Sequence, residues 1–115
     1  MVDDDARTTI AAFFAAMNER DADAAAALVE PDVEIAFGPN VFYGRDAVRE
    51  LALQEDPELA SETTATSLDA DGDRVDVTAR RVQRWRENGE IAVEQEVRAL
   101  FALAPSGLIA RVELS

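Results

Sequence analysis

The chain passes at Leu59 from a mostly helical pattern to a strand pattern that it keeps, and that switch constrains the fold more than any single motif does. Before it, Ile10, Phe13, Phe14 and Met17 recur at i, i+3, i+4 and i+7, which is one apolar stripe on a helix. Asp3, Asp4 and Asp5 offer this helix capping oxygens and favourable charge. Asn18 to Arg20 interrupt the pattern. Asp21 reads as the N-cap of a second, alanine-rich helix that carries Leu28 and Val29 and ends before Pro31. Val33, Ile35 and Phe37 then alternate with Glu34 and Ala36, a short half-buried strand. Gly38-Pro39-Asn40 is a turn, and Val41-Phe42-Tyr43 a brief second strand. Gly44 opens a third helix whose apolar side holds Ala47, Val48, Leu51 and Ala52, and Pro57 closes that segment. Beyond Leu59, turn signals at Asp71-Gly72-Asp73, Glu87-Asn88-Gly89 and Pro105-Ser106-Gly107 divide four strands. Helices followed by hairpin-linked strands predict an α+β domain spanning 1–115. Its N-terminal helices pack on a strongly curved antiparallel sheet and enclose a small, mainly apolar pocket.

Composition limits the chemistry. The chain has no cysteine and no histidine, so thiolate chemistry and the commonest general base and metal ligand are missing. Acid–base work would fall to carboxylates, Tyr43, arginine or water. All 11 basic residues are arginine, and the formal net charge is −13. That field repels nucleic acids and anionic membranes, so neither is an expected partner. Asp71-Gly72-Asp73 lacks the further carboxylates of a calcium loop and reads as a turn; no metal and no cofactor is expected. The acidic start Met1-Val2-Asp3-Asp4-Asp5 does not resemble a signal peptide, and no stretch approaches a membrane helix. The cytoplasm is the expected location.

Register decides which side chains meet, because a slip of one residue exchanges the faces of a strand. A loop of Asn88 and Gly89 alone would mix charge with core on both faces. A three-residue loop, Glu87-Asn88-Gly89 with Gly89 left-handed, separates them. Trp85 then faces Ile91, Gln83 faces Val93, Arg81 faces Gln95, Ala79 faces Val97, Val77 faces Ala99 and Val75 faces Phe101. The other face receives Arg80 against Glu96, Thr78 against Arg98 and Val82 against Glu94. In the preceding hairpin, placing Leu68 opposite Val75 sets Thr66 against Val77, Thr64 against Ala79 and Glu62 against Arg81.

These registers set Glu62, Arg81 and Gln95 side by side on an otherwise apolar face, with Gln83 and Trp85 continuing toward the rim. A desolvated Glu–Arg pair beside an amide is either a structural ion pair or a ligand-contacting site. In the second reading Arg81 polarises an oxyanion, Glu62 acts as base or orienter, and Gln95 fixes the substrate. Phe13, Met17, Phe37, Val97, Ala99 and Phe101 line the pocket or belong to plain core. Tyr43 is a packed tyrosine or, in the pocket, a ligand contact and acid catalyst, and Asp32 caps a strand or serves as a base.

The segments Phe13-Phe14-Ala15-Ala16-Met17-Asn18-Glu19-Arg20-Asp21, Leu28-Val29-Glu30-Pro31-Asp32-Val33-Glu34-Ile35 and Tyr43-Gly44-Arg45-Asp46-Ala47-Val48 together resemble the nuclear transport factor 2-like superfamily, in particular its SnoaL-like branch. The resemblance covers nearly the whole chain and implies a cone-shaped α+β barrel with a pocket. It leaves the function open, because that fold hosts isomerases, cyclases, epoxide hydrolases, dehydratases and non-catalytic binding or assembly domains. The polar positions of the ketosteroid isomerases hold Phe13, Phe37 and Ala99 here. The late-strand acid of the cyclases finds only Glu94 and Glu96, on the outward face. The Asp-Arg-Asp arrangement of the epoxide hydrolases is imitated only by Glu62 with Arg81. Two expectations remain: a protein that binds a small hydrophobic molecule and could act on it, or a non-catalytic homodimeric module that pairs through its charged face.

Overall fold

The computed structural model describes residues 2–114, with side chains from Asp5 onward. Helix α1 (Val2–Glu19) leads into α2 (Ala22–Ala27), strands β1 (Val29–Phe37) and β2 (Asn40–Tyr43), and helix α3 (Arg45–Leu53). Strands β3 (Leu59–Asp71), β4 (Arg74–Trp85), β5 (Ile91–Leu103) and β6 (Ile109–Leu114) complete it. One sheet holds all six in the order β2-β1-β6-β5-β4-β3, and it curls around the helices without closing, so β2 and β3 stay as edges. Every neighbouring pair is antiparallel except β1 and β6, which run parallel.

The apolar stripe of α1 behaves as its spacing requires. Ile10 and Phe13 are buried, and the Phe13 and Phe14 rings each meet the ring of Phe101 edge-on at 5.8 Å. Val75, Val77, Ile35, Val33, Ile109 and Val112 complete this core. Burying a side chain such as Phe101 contributes about 1.5–3 kcal/mol, and nothing polar is buried among the described residues.

The helix ends follow local chemistry. Asp3, Asp4 and Asp5 fall inside the first turn of α1 rather than ahead of it, and the side chains of Asp3 and Asp4 lie outside the described residues. At the other end Arg20 adopts φ 59°, while its N–H donates to Met17 and that of Asp21 to Ala16. This is a Schellman stop made without glycine. The side chain of Arg20 is then used elsewhere, donating to the carbonyls of Leu53 and Gln54 at the end of α3. Asp21 caps α2 through the Ala24 N–H, as its position predicts. That helix is shorter than expected, since it does not carry Leu28 and Val29 on to Pro31. It ends at Ala27, and Val29 already belongs to β1, with Pro31 inside an irregular stretch of strand. Gly44 starts α3 at φ 94°, a conformation that disfavours any side chain, and its N–H donates to Val33.

The β4–β5 register is the expected one from Gln83–Val93 through Val75–Phe101. Its turn differs. Trp85 closes against Glu90 around residues 86–89, and a bulge at Ala92 restores the register, so Ile91 meets Arg84 instead of Trp85. Gly89 is left-handed, φ 75°. The β3–β4 register departs from expectation. Gly72 and Asp73 alone make the turn, with Gly72 at φ 65° supplying the conformation such tight hairpins need. Leu68 therefore faces Val77 rather than Val75. A bulge at Thr66 then shifts the remainder, so that Ala65 faces Ala79, Thr63 faces Arg81 and Glu62 faces Val82.

Candidate functional site

Strands β3, β4 and β5 continue well beyond the ends of β1 and β6, since Ala99 is the last β5 residue with a β6 partner in that direction. Strands of 13 residues reach about 43 Å, which accounts for the 44 Å long axis of the molecule. The projecting wing repeats the concave face of the core with different side chains. Across β3, β4 and β5, the first row is Ala65, Ala79 and Val97, and the second is Thr63, Arg81 and Gln95. Ser61, Gln83 and Val93 form the third, and Leu59 with Trp85 the last. Adjacent members of a row are about 5 Å apart. A polar band therefore crosses the wing, with apolar residues on both sides of it.

Helix α1 walls one side of the cleft. Arg7 donates to the Leu68 carbonyl, and farther along Asn18 both donates to the Thr63 carbonyl (2.8 Å) and accepts its N–H (2.9 Å). The Asn18 amide thus imitates a neighbouring strand at the exposed edge of β3. Glu55 then bridges Arg20 (3.6 Å) and Arg86 (3.4 Å), and Arg86 donates to the Asp56 carbonyl, which ties the tip of β4 to the end of α3.

The predicted site residues divide into three groups. Phe13, Ala99 and Phe101 are core, 8%, 6% and 1% exposed, so the deep part of the expected pocket is filled by the protein's own side chains. Met17 packs against that core from the cleft side. Gln83, Trp85, Gln95 and Val97 share the concave face of the wing with Arg81, and Phe37 lies on the same face at the end of β1, in the row of Leu114 and Ala99. Trp85, Phe37 and Val93 are each about two-fifths exposed. Gln83 donates to the Ser61 hydroxyl at 3.1 Å.

Glu62 and Tyr43 are elsewhere. The Thr66 bulge turns Glu62 to the convex face, so the expected Glu62–Arg81 pair does not form, and Glu62 is exposed. Tyr43 pairs with Glu34, on the face opposite Ile35, and is 67% exposed. Asn18, Ser61 and Thr63 shape the cleft and were not singled out from the sequence. A helix-terminal asparagine and two strand hydroxyls carry no pattern until the register is known. The convex face bears the Arg80–Glu94 and Arg111–Glu34 ion pairs. It also carries two open grooves of about 450 and 320 Å³, one along Asp76, Thr78 and Arg98, the other along Thr66, Arg80 and Glu94.

Among the described residues no group of His, Cys, Asp or Glu is placed to hold a metal, and no helix is long and apolar enough to cross a membrane. Helices followed by a six-stranded, curled and unclosed sheet define the α+β class of this fold. The sequence pattern of the SnoaL-like domain matches residues 10–112, and the chain belongs to that family, within the nuclear transport factor 2-like superfamily. A candidate polyketide cyclase from Xanthomonas campestris pv. campestris has the same fold, with TM-score 0.84 and 20% identity, over 99% of this chain and 91% of its own. A Mycobacterium tuberculosis protein crystallised with estradiol-17β-hemisuccinate matches at TM-score 0.75 and 14% identity, over 96% and 92%. An epoxide hydrolase from M. tuberculosis matches at TM-score 0.72 and 20% identity, over 96% and 83%. At these identities the likeness is one of fold. No curated protein sequence matches the chain.

Proposed function

We propose that this protein binds a small, predominantly apolar molecule in the open cleft between the β3–β5 wing and the end of α1. One observation carries the reading. Trp85, Val93 and Val97 stay outside the core cluster on a concave face whose inner half is fully packed. Large apolar side chains left uncovered in a concavity are the usual lining of a ligand site. The steroid derivative held by the M. tuberculosis relative supports a ligand of that kind. With Glu62 on the convex side, no carboxylate shares the sheet rows from Ala65 to Trp85. Trp85 is the sole tryptophan and serves as the reporter. Titration with estradiol and similar apolar ligands is expected to shift its emission to shorter wavelength with saturation. An unchanged emission together with no calorimetric heat across such a panel would rule this reading out.

A second copy of the chain is the partner favoured for the convex face, which carries both signs of charge on one sheet: Arg80 and Arg98 beside Glu94, Glu96 and Asp76. A two-fold axis across such a surface brings opposite charges together. Sedimentation is expected to give a dimer at micromolar concentration. The double substitution Arg80→Glu, Arg98→Glu should give a monomer, and a parent chain that sediments as a monomer would refute the pairing.

A further inference from the structure

The cleft contains one side chain whose position neither the packing nor the ion pairs account for. Four arginines of the described chain are half-buried: Arg20, Arg45, Arg49 and Arg81. Three have clear occupations. Arg20 holds the Leu53 and Gln54 carbonyls, and Arg45 directs two donors at the Val29 carbonyl, 3.0 and 2.9 Å away. Arg49 pairs with Asp23 and Asp46. Arg81 has no hydrogen bond, ion pair or ring contact with any described residue. Its strand neighbours on that face, Thr63 and Gln95, are uncharged, and the acid expected beside it is on the other side of the sheet. Arg74 is also unpaired, but it is exposed at the hairpin turn, where water satisfies it.

Water still reaches the nitrogens of Arg81, since no buried side-chain nitrogen among the described residues lacks a partner, so the guanidinium keeps all its donors available to an incoming acceptor. Its planar fork matches a carboxylate better than any neutral acceptor. Gln95, directly across on β5, makes no side-chain hydrogen bond with a described residue, and its backbone runs about 5 Å from that of Arg81. The row on one side, Ala65, Ala79 and Val97, is apolar; on the other side Ser61 and Gln83 stand beside Val93, with Leu59 and Trp85 beyond them. The formal charge of −13 works against any polyanion, so the ligand carries a single negative group on an apolar body.

We infer that the cleft is specific for amphipathic monocarboxylates, with Arg81 as the anchor of the carboxylate and Gln95 as its second donor. This rests on the small-molecule reading above and names its ligand class. The test uses the full chain and two matched pairs, estradiol-17β-hemisuccinate with estradiol and decanoate with decanol, titrated by calorimetry. In each pair that binds, the acid should be tighter by about tenfold or more, the range of a charge-assisted hydrogen bond. In Arg81→Met that gap should vanish while the neutral partner still binds, and Arg81→Lys should keep part of it. Equal affinities in the parent chain, or a gap that survives in Arg81→Met, would overturn the assignment of Arg81 and leave apolar binding standing. No binding by any of the four overturns both. Thermal unfolding separates a structural role. Removing an unpaired half-buried charge should leave the midpoint unchanged or raise it, and a fall of several degrees in Arg81→Met would also overturn the inference.

Discussion

The inner half of the concave face and the outer wing are built on the same three strands with the same alternation, yet they serve different ends. In the inner half, Val75, Val77, Ala99 and Phe101 are essentially excluded from water, and Phe101 meets both rings of α1. In the wing, the equivalent positions are Arg81, Gln83, Gln95 and Val93, and the helices no longer cover them. Alternation alone therefore marks a face. Whether that face becomes core or cleft depends on how far α1 extends along it, and α1 stops opposite Thr63.

Several substitutions would break or sharpen this contrast. Phe101→Ala removes the ring that both α1 phenylalanines meet, so it should cost about 3–5 kcal/mol in a denaturant titration; a loss below about 1 kcal/mol would mean the inner half is not closed core. Asn18→Ala removes two hydrogen bonds to Thr63 and frees the edge of β3. It should lower stability by about 1–2 kcal/mol and speed hydrogen exchange at the Thr63 amide, and unaltered exchange would show that the boundary between core and wing is set elsewhere. Trp85→Ala acts on the wing alone. It should weaken an apolar ligand about tenfold while moving stability by less than about 1 kcal/mol. Parallel losses of both would merge the two regions into one folding unit. The smallest effect belongs to Glu62→Gln, expected within about 0.5 kcal/mol and without consequence for ligand affinity. A clear loss of binding would return Glu62 to the cleft and contradict the register.

Much of this was legible beforehand, for identifiable reasons. The helical stripe of α1, the Asp21 cap, the Gly44 start and the four late strands each follow from interactions within a few residues. The β4–β5 register was legible because only one pairing gathers the apolar residues on one side. It held even though the loop spans residues 86–89 and a bulge at Ala92 makes up the difference. The β3–β4 register was not. Strand β3 is an edge rich in serine, threonine and alanine, so its two faces differ little in hydrophobicity and a bulge leaves no trace in the pattern. The tight Gly72-Asp73 turn and the Thr66 bulge together removed Glu62 from the row of Arg81.

By itself the sequence determined the element types, the turn glycines and the composition of each face, all of which depend on period and local backbone preference. Only the tertiary structure decided the parallel pairing of β1 with β6, the clamp of Asn18 on Thr63, the filling of the inner cavity by Phe13 and Phe14, and the isolation of Arg81. Those join residues far apart in the chain, and their energies come from packing and hydrogen bonds that no local pattern encodes.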